Sequence, residues 1–443
     1  MAHVSIREKI AYALGDAASN IAWRGVASFL FIVYTDVFGL NPAAVGTLML
    51  VARVGDGISD IAIGVAADRT RTRWGRFRPW ILWTALPLAA TLCMTFTCPA
   101  GLGPTGRLAY AYATYILFTL VYTAMNIPYG ALLSVMTPDE RERTSIGGWR
   151  MAGAFAGGML VQGLLLALKD WTGSYTAPIY MLSAVMALIL PVTFFGTRER
   201  VEPPPSQKND LRRDFGDLLL RNAPWLVLLA VSLSYNVYNS VKQGVTVVYF
   251  THYVHRELLA GGYMTALMIA SVAGAAATAP LARRLGKKNL FIAALLASGA
   301  VNALIWFCGP DATAGIFALG TVSEFFAAIF PTLCFAMLGD VADYSEWRNS
   351  RRATGLVYSA ASFAMKSGGG IAGALIGAVL ARYGYDGCDK ESIAGAIPGI
   401  KMLMSWLPGL IAVGTAAIMA FYPITTEKME QISSDLSKRR TGK

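Results

Sequence analysis

Two aspartates stand four residues apart in an otherwise apolar stretch of the chain, Asp56 and Asp60. On an α-helix, side chains with this spacing share one face and lie about 6 Å apart along the axis. Two such carboxylates can bind Na⁺ through hard oxygen ligands, or they can share a proton because like charges held close together repel. An ion pair between Asp56 and Arg53, one turn away, is the structural alternative. The pair predicts a cation site and leaves Na⁺ and H⁺ both open.

Amides and hydroxyls recur at helical spacing in other apolar stretches of the chain. Ligands rich in hydroxyl groups, such as sugars, are bound by planar amides and charged groups with aromatic faces alongside. We therefore predict a sugar site, although for any single aromatic residue core packing is the alternative. The polar and aromatic candidates for this site are Asn20, Arg24, Tyr122, Asn126, Tyr235 and Asn236, with Thr123 three residues before Asn126.

Positive charges also occur inside apolar stretches, where an isolated charge is costly. The cations are Arg24, Arg53, Arg150, Lys242 and Lys366. The acidic residues in or near these apolar stretches are Asp56, Asp60, Asp340 and Asp343. A buried excess of positive charge needs a counter-anion, and an anionic substrate is one source of it. Snorkelling of Lys242 or Arg24 towards a helix end is the other explanation. If the substrate is an anion, replacing Lys242 by alanine should abolish its binding and spare folding.

The composition indicates which elements position these residues. Of 443 residues, 55% are hydrophobic and 15% are charged, whereas soluble domains carry roughly 25% charged residues. Apolar stretches of about 20 residues, each long enough to cross the bilayer as a helix, recur about twelve times. Helices satisfy their own backbone groups in lipid, and the alternation typical of a transmembrane barrel is absent from the sequence. The sequence predicts an all-α membrane protein.

The basic residues predict the orientation and the division of the chain. They concentrate in alternate short loops, for example residues 68–78 and 283–288, which is the pattern of cytoplasmic loops. The net charge of +11 is therefore attributed to topology and not to nucleic-acid binding. We expect an inner-membrane protein with both termini in the cytoplasm. A proline-rich polar stretch, residues 199–217, separates two predicted six-helix bundles, 1–198 and 218–424, and residues 425–443 form a cytoplasmic tail.

Two other functional classes are weakly supported by the sequence. A membrane-embedded enzyme needs a nucleophile, a metal cluster or a paired acid and base, and no such cluster is visible in the sequence. The five cysteines show no paired spacing, so neither a disulfide framework nor a zinc site is indicated. A sensor that binds sugar without moving it is the other alternative, although no signalling domain is appended. We expect no cofactor other than a coupling ion, and a functional monomer in the bilayer.

Longer motifs give a more specific indication. They are YALGDAASN from Tyr12, YTDVFGL from Tyr34, GTLMLVARVGDGISD from Gly46, TRTRWGRFRPW from Thr70, YTAMNIPYGAL from Tyr122 and GDVADYSEWR from Gly339. With these motifs, nearly the whole chain resembles the glycoside–pentoside–hexuronide:cation symporters of the major facilitator superfamily, the melibiose permease group. The resemblance implies twelve helices in two pseudo-symmetric bundles. It also implies uptake of a sugar together with Na⁺ or H⁺ by alternating access.

The resemblance assigns roles to individual residues. It implies that Asp56 and Asp60 bind the coupling cation with help from Thr123. It implies that Asn20, Asn126 and Arg150 contribute to the sugar site. Lys366 would lie between the halves and connect the two sites. The positions of Asn20 and Asn126 are aspartates in melibiose permease, so this chain departs from that member. Together with Arg24 and Lys242, the departure favours an anionic sugar such as a hexuronide or sulfosugar, with a neutral glycoside or pentoside as the alternative.

Overall fold

A computed structural model describes residues 4–137, 139–200, 222–349 and 354–441. Most of the predicted linker, residues 199–217, lies outside the described residues. Across the described ranges the regular structure is helical, apart from an isolated bridge between Thr72 and Gly75. Nine described segments are long and apolar enough to cross a membrane. Helices α2, α3 and α7, defined below, are also at least 18 residues long, so with the nine they make twelve helical segments of spanning length.

The helices are α1 (Ile6–Ile32), α2 (Pro42–Arg69), α3 (Arg78–Thr95), α4 (Pro104–Met136), α5 (Glu140–Thr172), α6 (Thr176–Gly196), α7 (Ala223–His252), α8 (Leu258–Leu285), α9 (Lys287–Leu304), α10 (Thr313–Ala327), α11 (Ile329–Asn349), α12 (Thr354–Arg382), α13 (Lys390–Met404), α14 (Trp406–Ala420) and α15 (Thr426–Thr441). A π-helical turn, Val33–Val37, extends α1, and a 3-10 turn, Ile305–Phe307, follows α9. Helices α10 and α11 together form one predicted span, and so do α13 and α14.

The chain divides into two compact units, one of which includes segments from both halves of the sequence. Unit 1 contains residues 1–205, 246–265 and 376–397, and unit 2 contains 206–245, 266–375 and 398–443. Polar contacts explain why two segments of the second half belong to unit 1. Asp36 accepts a hydrogen bond from the Tyr385 hydroxyl and contacts Nε2 of His252, both at 2.7 Å. Glu257 pairs with Lys169.

Helix α1 lies at the centre of unit 1 because small residues let neighbouring helices approach it closely. It packs against α5 and α6. A Cβ atom on Gly153 of α5 would collide with the main-chain carbonyl of Ala13. Against α4, the rings of Tyr12 and Tyr129 stack with their centroids 4.6 Å apart. Each of these hydroxyls donates to the main-chain oxygen of the other tyrosine, at 3.2 and 2.7 Å, so the crossing of α1 and α4 is fixed.

Gly153→Ala is expected to destabilise unit 1. The added methyl group meets backbone and not a movable side chain, so α1 and α5 must separate, and overpacking of this kind costs about 1–3 kcal/mol. The measurement is thermal unfolding of the purified protein in detergent. Gly148→Ala on the same helix is the control because no atom lies within 4 Å of its added Cβ. Equal melting temperatures for the two variants would contradict the close packing described for α5.

The basic loop between α2 and α3 is held by one acidic residue. The carboxylate of Glu199 accepts hydrogen bonds from the main-chain N–H groups of Arg76, Phe77 and Arg78 at 2.8–2.9 Å. These N–H groups belong to the start of α3, where a helix has unsatisfied donors and a favourable dipole for an anion. Gly75 takes a positive φ of 112°, which the tight turn before α3 requires. The loop is therefore a structured connection anchored to the end of α6.

Candidate functional site

The predicted cation pair lies on α2, and Arg53 engages one of its members. Arg53 and Asp56 are both buried, and Nη1 of Arg53 donates to Oδ2 of Asp56 at 2.6 Å. The guanidinium also lies over the ring of Trp23, 4.1 Å from its centroid, and Nη2 is 3.4 Å from the Tyr115 hydroxyl. The ion pair named as the structural alternative is therefore present in this structure. A cation that binds Asp56 would share its carboxylate with Arg53 or would displace Arg53 from it.

The remaining residues of the predicted cation site lie on α2 and on α4, two helices that pack against each other. Asp60 is half-buried, and Thr123 of α4 is 3% exposed on a helix that packs against α2. Ser59 is buried between the two aspartates and donates to the main-chain oxygen of Asp56 at 3.0 Å. Ser59 was not predicted as a site residue, because a hydroxyl group inside a span carries no charge that would mark it. Within the part of the chain that the structure describes, no group of three or more His, Cys, Asp or Glu side chains could hold a metal. Na⁺ would therefore need hydroxyl or main-chain oxygens beside Asp56 and Asp60.

Three helices of unit 1 bring polar sugar-site candidates together around Asp16 of α1. The side chain of Asp16 is 8% exposed and accepts from Nε of Arg150 on α5 at 3.3 Å. The amide of Asn20 donates to the main-chain oxygen of Asp16 at 3.0 Å. Arg150 also lies over the ring of Tyr129, 5.4 Å from its centroid, and its side chain is 32% exposed. Asp16 belongs to a motif quoted above, yet the count of buried charges omitted it.

Ser19 connects the same turn of α1 to α4. Its hydroxyl lies 3.0 Å from the Tyr122 hydroxyl and donates to Oδ1 of Asn126 at 3.3 Å. The ring of Tyr122 also packs against Trp23, with the centroids 5.4 Å apart. Asn20, Tyr122, Asn126 and Arg150 therefore belong to one cluster of unit 1. We call Asp16, Ser19, Asn20, Tyr122, Asn126 and Arg150 the α1 polar cluster.

Trp23 joins the α1 polar cluster to the cation pair. One of its ring contacts is Tyr122 and the other is the guanidinium of Arg53, which is itself bonded to Asp56. Cation–π contacts are worth about 0.5–2 kcal/mol, more when desolvated. A change in the charge of Asp56 therefore has a short physical route to the residues of the polar cluster. Arg24 is half-buried on α1 next to Trp23.

Lys242 of α7 is buried in unit 2 and holds a carboxylate that the sequence analysis missed. Its side chain is 4% exposed, and Nζ lies 3.2 Å from Oε2 of Glu324 on α10. Nζ also donates to the hydroxyl oxygens of Tyr238 at 3.1 Å and Ser323 at 3.4 Å. A protonated lysine has three N–H donors, so these three acceptors can use all of them. The other oxygen of Glu324 accepts from Ser271 at 2.9 Å.

These pairs change the charge balance from which an anionic substrate was inferred. Asp16 and Glu324 were not among the acids named beside the cations, and each of them forms an ion pair with one of those cations. Both acids lie in apolar stretches, so a complete count of charges would have found them. The expectation that alanine at position 242 spares folding also changes, because it would leave Glu324 without its buried lysine partner. Lys242 no longer argues for an anionic substrate.

The other predicted residues of unit 2 are one buried tyrosine and two half-buried polar residues. Tyr235 is 5% exposed, stacks on Phe330 with the centroids 3.7 Å apart, and donates its hydroxyl to the main-chain oxygen of Ala327 at 3.0 Å. These contacts favour the packing role left open for Tyr235. Asn236 is half-buried and donates to the main-chain oxygen of Ser232 at 2.9 Å. Lys366 is half-buried on α12.

Comparison with known proteins agrees with this fold and residue set. The family model of MFS/sugar transport proteins matches residues 11–426. The Escherichia coli inner membrane symporter YicJ is 35% identical over 99% of this chain and 96% of its own length. The putative glycoside/cation symporter YagG of the same organism is 35% identical over 100% of this chain and 97% of its own length. The isoprimeverose transporter of Lactiplantibacillus pentosus is 32% identical over 98% of this chain and 91% of its own length.

Solved structures support the fold independently of sequence identity. A bacterial homologue of the human lysosomal transporter Spinster superposes with a TM-score of 0.71 at 12% identity, over 96% of this chain and 98% of that structure. A mutant form of the nucleoside transporter NupG superposes with a TM-score of 0.71 at 15% identity, over 94% of this chain and 100% of that structure. The predicted all-α major facilitator architecture is confirmed, and the chain is a multi-pass membrane protein. By its family match and its relatives, the chain belongs to the MFS/sugar transport proteins and, within them, to the glycoside–pentoside–hexuronide:cation symporters.

Proposed function

We propose that this chain imports a neutral glycoside together with Na⁺ or H⁺ by alternating access. The observation that carries the proposal is the connection within unit 1 between the carboxylate pair of α2 and the α1 polar cluster. Asp56 and Asp60 are the proposed cation ligands, with Thr123 as a hydroxyl ligand. Asn20, Tyr122, Asn126 and Arg150 are the proposed sugar ligands. Arg24, Asn236 and Lys366 remain candidates for additional substrate contacts.

Coupling follows from the contacts of Arg53. The guanidinium lies between Oδ2 of Asp56 and the face of Trp23. A Na⁺ ion or a proton on Asp56 weakens the attraction of Arg53 to that carboxylate. The position of Trp23, and through it that of Tyr122, then depends on whether a cation is present. By linkage, the cation raises sugar affinity by the same factor by which sugar raises cation affinity.

A neutral substrate agrees best with the observed charge pairs. Arg150 and Lys242 are each paired with a carboxylate, so neither requires a charge from the substrate. The relatives at 35% and 32% identity include one named a putative glycoside/cation symporter and one named an isoprimeverose transporter. Amides, tyrosine hydroxyls and tryptophan faces are the groups that bind uncharged sugar hydroxyls and ring faces. The α1 polar cluster and Trp23 supply all three.

An anionic sugar is the second candidate because of Arg150. Its side chain is 32% exposed while it remains bonded to Asp16 through Nε alone. The two Nη groups of an arginine can bind a carboxylate or sulfonate in a bidentate manner. More distant relatives are named a glucuronide carrier protein homolog, at 29% identity, and a putative sulfoquinovose importer, at 28%. On this alternative, Arg150 and not Lys242 would bind the acidic group.

The two candidates differ in the charge that crosses the membrane. The experiment uses the purified protein in liposomes with a Na⁺ or a pH gradient, and compares uptake of a xylose-containing disaccharide with uptake of a glucuronide. One cation moving with a neutral sugar carries one positive charge, so an inside-negative potential of 100 mV adds about 2.3 kcal/mol. That value corresponds to about a 50-fold higher accumulation. A uronate moving with one cation carries no net charge and gains nothing from the potential.

The same experiment tests the proposal as a whole. We expect accumulation of the neutral disaccharide that depends on one of the two ion gradients and increases with an inside-negative potential. Uptake of the glucuronide alone, insensitive to the potential, would replace the neutral substrate by the anionic one. Binding of sugar without uptake into the liposomes would instead indicate a sensor.

Trp23→Ala is expected to weaken the dependence of sugar affinity on the cation. The substitution removes the ring that joins Arg53 to Tyr122, and we expect the ratio of sugar Kd values without and with the cation to fall by about fivefold, or about 1 kcal/mol. Sugar binding to the purified protein, measured by calorimetry with and without the coupling ion, gives this ratio directly.

Trp23→Phe is the matched variant, because it retains an aromatic face for Arg53 and for Tyr122. It should keep most of the wild-type ratio. An unchanged ratio in Trp23→Ala would exclude this ring as the connection between the two sites.

A further inference from the structure

A cavity lies in unit 2 and is lined by none of the proposed cation or sugar ligands. It has a volume of about 520 Å³, within the range of small-molecule sites. Its walls come from the ends of α8 and α9, from α11, and from the segment that joins α14 to α15. Apolar side chains form much of the wall, among them Ala279, Leu333, Ala336, Met337 and Ile424. The interior therefore suits a hydrocarbon group better than a hydrated solute.

The mouth of the cavity carries basic side chains at the basic loop predicted to face the cytoplasm. Lys287 is paired with Asp340 at 2.6 Å, so these two charges offset each other. Lys288 donates to the main-chain oxygens of Ala420 and Tyr422, both at 2.7 Å, which holds its charge at the mouth. Arg283 is exposed, and no described residue forms an ion pair or hydrogen bond with its side chain. One further acid, the exposed Glu430, lines the rim.

A buried hydroxyl in the cavity wall is the second observation that indicates a ligand. Tyr422 is 1% exposed and lines the cavity, yet no described residue forms a hydrogen bond with its hydroxyl. Leaving a buried donor unsatisfied costs about 1–3 kcal/mol. Thr425 and Thr426 also line the wall. A ligand with hydrogen-bond acceptors at the mouth and an apolar body would satisfy both the hydroxyl and the walls.

We propose that this cavity binds an anionic phospholipid of the cytoplasmic leaflet. Its phosphodiester would be held by Arg283 and Lys288 and would accept a hydrogen bond from Tyr422, while part of an acyl chain lies along α8 and α11. Basic pockets between helices on the cytoplasmic side are a recurring mode of anionic lipid binding. A soluble phosphate would satisfy the mouth but leave the apolar walls uncovered. The lipid would join α15 and the end of α14 to α8 and α11, all of unit 2.

The test is direct lipid binding to the full-length protein, measured by native mass spectrometry in a non-ionic detergent. Phosphatidylglycerol is titrated, with phosphatidylethanolamine as the zwitterionic comparison and glycerol 3-phosphate as the soluble one. We expect one tightly bound phosphatidylglycerol and weaker binding of the other two. Arg283→Gln should weaken phosphatidylglycerol binding about tenfold, since hydrogen bonds to charged groups are worth about 1.5–3 kcal/mol. Tyr422→Phe should weaken it less, by about threefold, and it leaves the ring packing unchanged.

The neighbouring arginine provides the control. Arg284 is also exposed but does not line the cavity, so Arg284→Gln removes the same charge from the same loop and should leave binding unchanged. Equal losses in Arg283→Gln and Arg284→Gln would mean that the loop attracts anions in general and would overturn the proposal. Equal binding of the two lipids, or tight binding of glycerol 3-phosphate that displaces phosphatidylglycerol, would overturn it as well. The readout is binding, so the result does not depend on the transported substrate.

Discussion

Lys242→Met is expected to lower the stability of the protein by about 3–5 kcal/mol, because it leaves the carboxyl group of Glu324 in a buried position without its partner. The side chains of Lys242 and Glu324 are 4% and 13% exposed, and the lysine also holds the hydroxyl groups of Tyr238 and Ser323. Glu324→Gln should destabilise the protein for the reciprocal reason. The double variant should recover much of the loss, because a buried pair replaced by neutral groups no longer carries an uncompensated charge.

The measurement is a double-mutant cycle on thermal or denaturant unfolding in detergent. Lys287→Met is the matched control in the same unit. Lys287 also forms an ion pair, with Asp340, but its side chain is 41% exposed, so its loss should cost only about 0–1 kcal/mol. Suppose instead that Lys242→Met unfolds like the wild type and loses only the binding of a uronate. Lys242 would then serve a ligand, and the substrate would again be expected to be an anion.

The spans and the contacts within one helix could be predicted from the sequence, whereas the contacts between helices could not. Apolar length predicts spans because lipid offers no hydrogen-bond partners, and nine described segments are both long and apolar enough to cross a bilayer. The contact of Arg53 with Asp56 was foreseeable as an alternative because the two residues are one turn apart on one helix. Pairs between helices were not foreseeable from spacing. Glu324 is 82 positions from Lys242, so only tertiary packing brings the two together.

The same limit applies to the α1 polar cluster. Residue type was enough to select Asn20, Asn126 and Arg150, because polar groups are rare inside spans and tend to face a cavity or a partner. It did not identify their partners. Arg150 is 134 positions from Asp16, and Ser19 is 107 positions from Asn126. Tyr235 was selected by residue type, but its contacts are those of a packed core residue. Residue type alone does not distinguish an aromatic side chain that binds a ligand from one that packs in the core.

Asp60→Asn is expected to abolish ion-driven accumulation of sugar while sparing the fold. Both aspartates of α2 are proposed cation ligands, but they differ in what else they do. Asp56 also neutralises Arg53, which is 8% exposed, so Asp56→Asn combines loss of a ligand with a buried unpaired cation. Asp60 is half-buried, and its replacement by the isosteric amide removes one charge from the proposed site without removing the partner of Arg53. Asp60→Asn is therefore the cleaner test of coupling.

The decisive measurement separates coupling from translocation. In liposomes, Asp60→Asn should still exchange labelled for unlabelled sugar at equilibrium, because the α1 polar cluster is unchanged, but its accumulation ratio under a Na⁺ or pH gradient should fall to about 1. Asp68→Asn on the exposed end of the same helix should accumulate sugar as the wild type does. Wild-type accumulation by Asp60→Asn would remove Asp60 from the cation site. Loss of exchange together with accumulation would mean that Asp60 is needed for the conformational change itself, and coupling would then have to be assigned to Asp56 and its contact with Arg53.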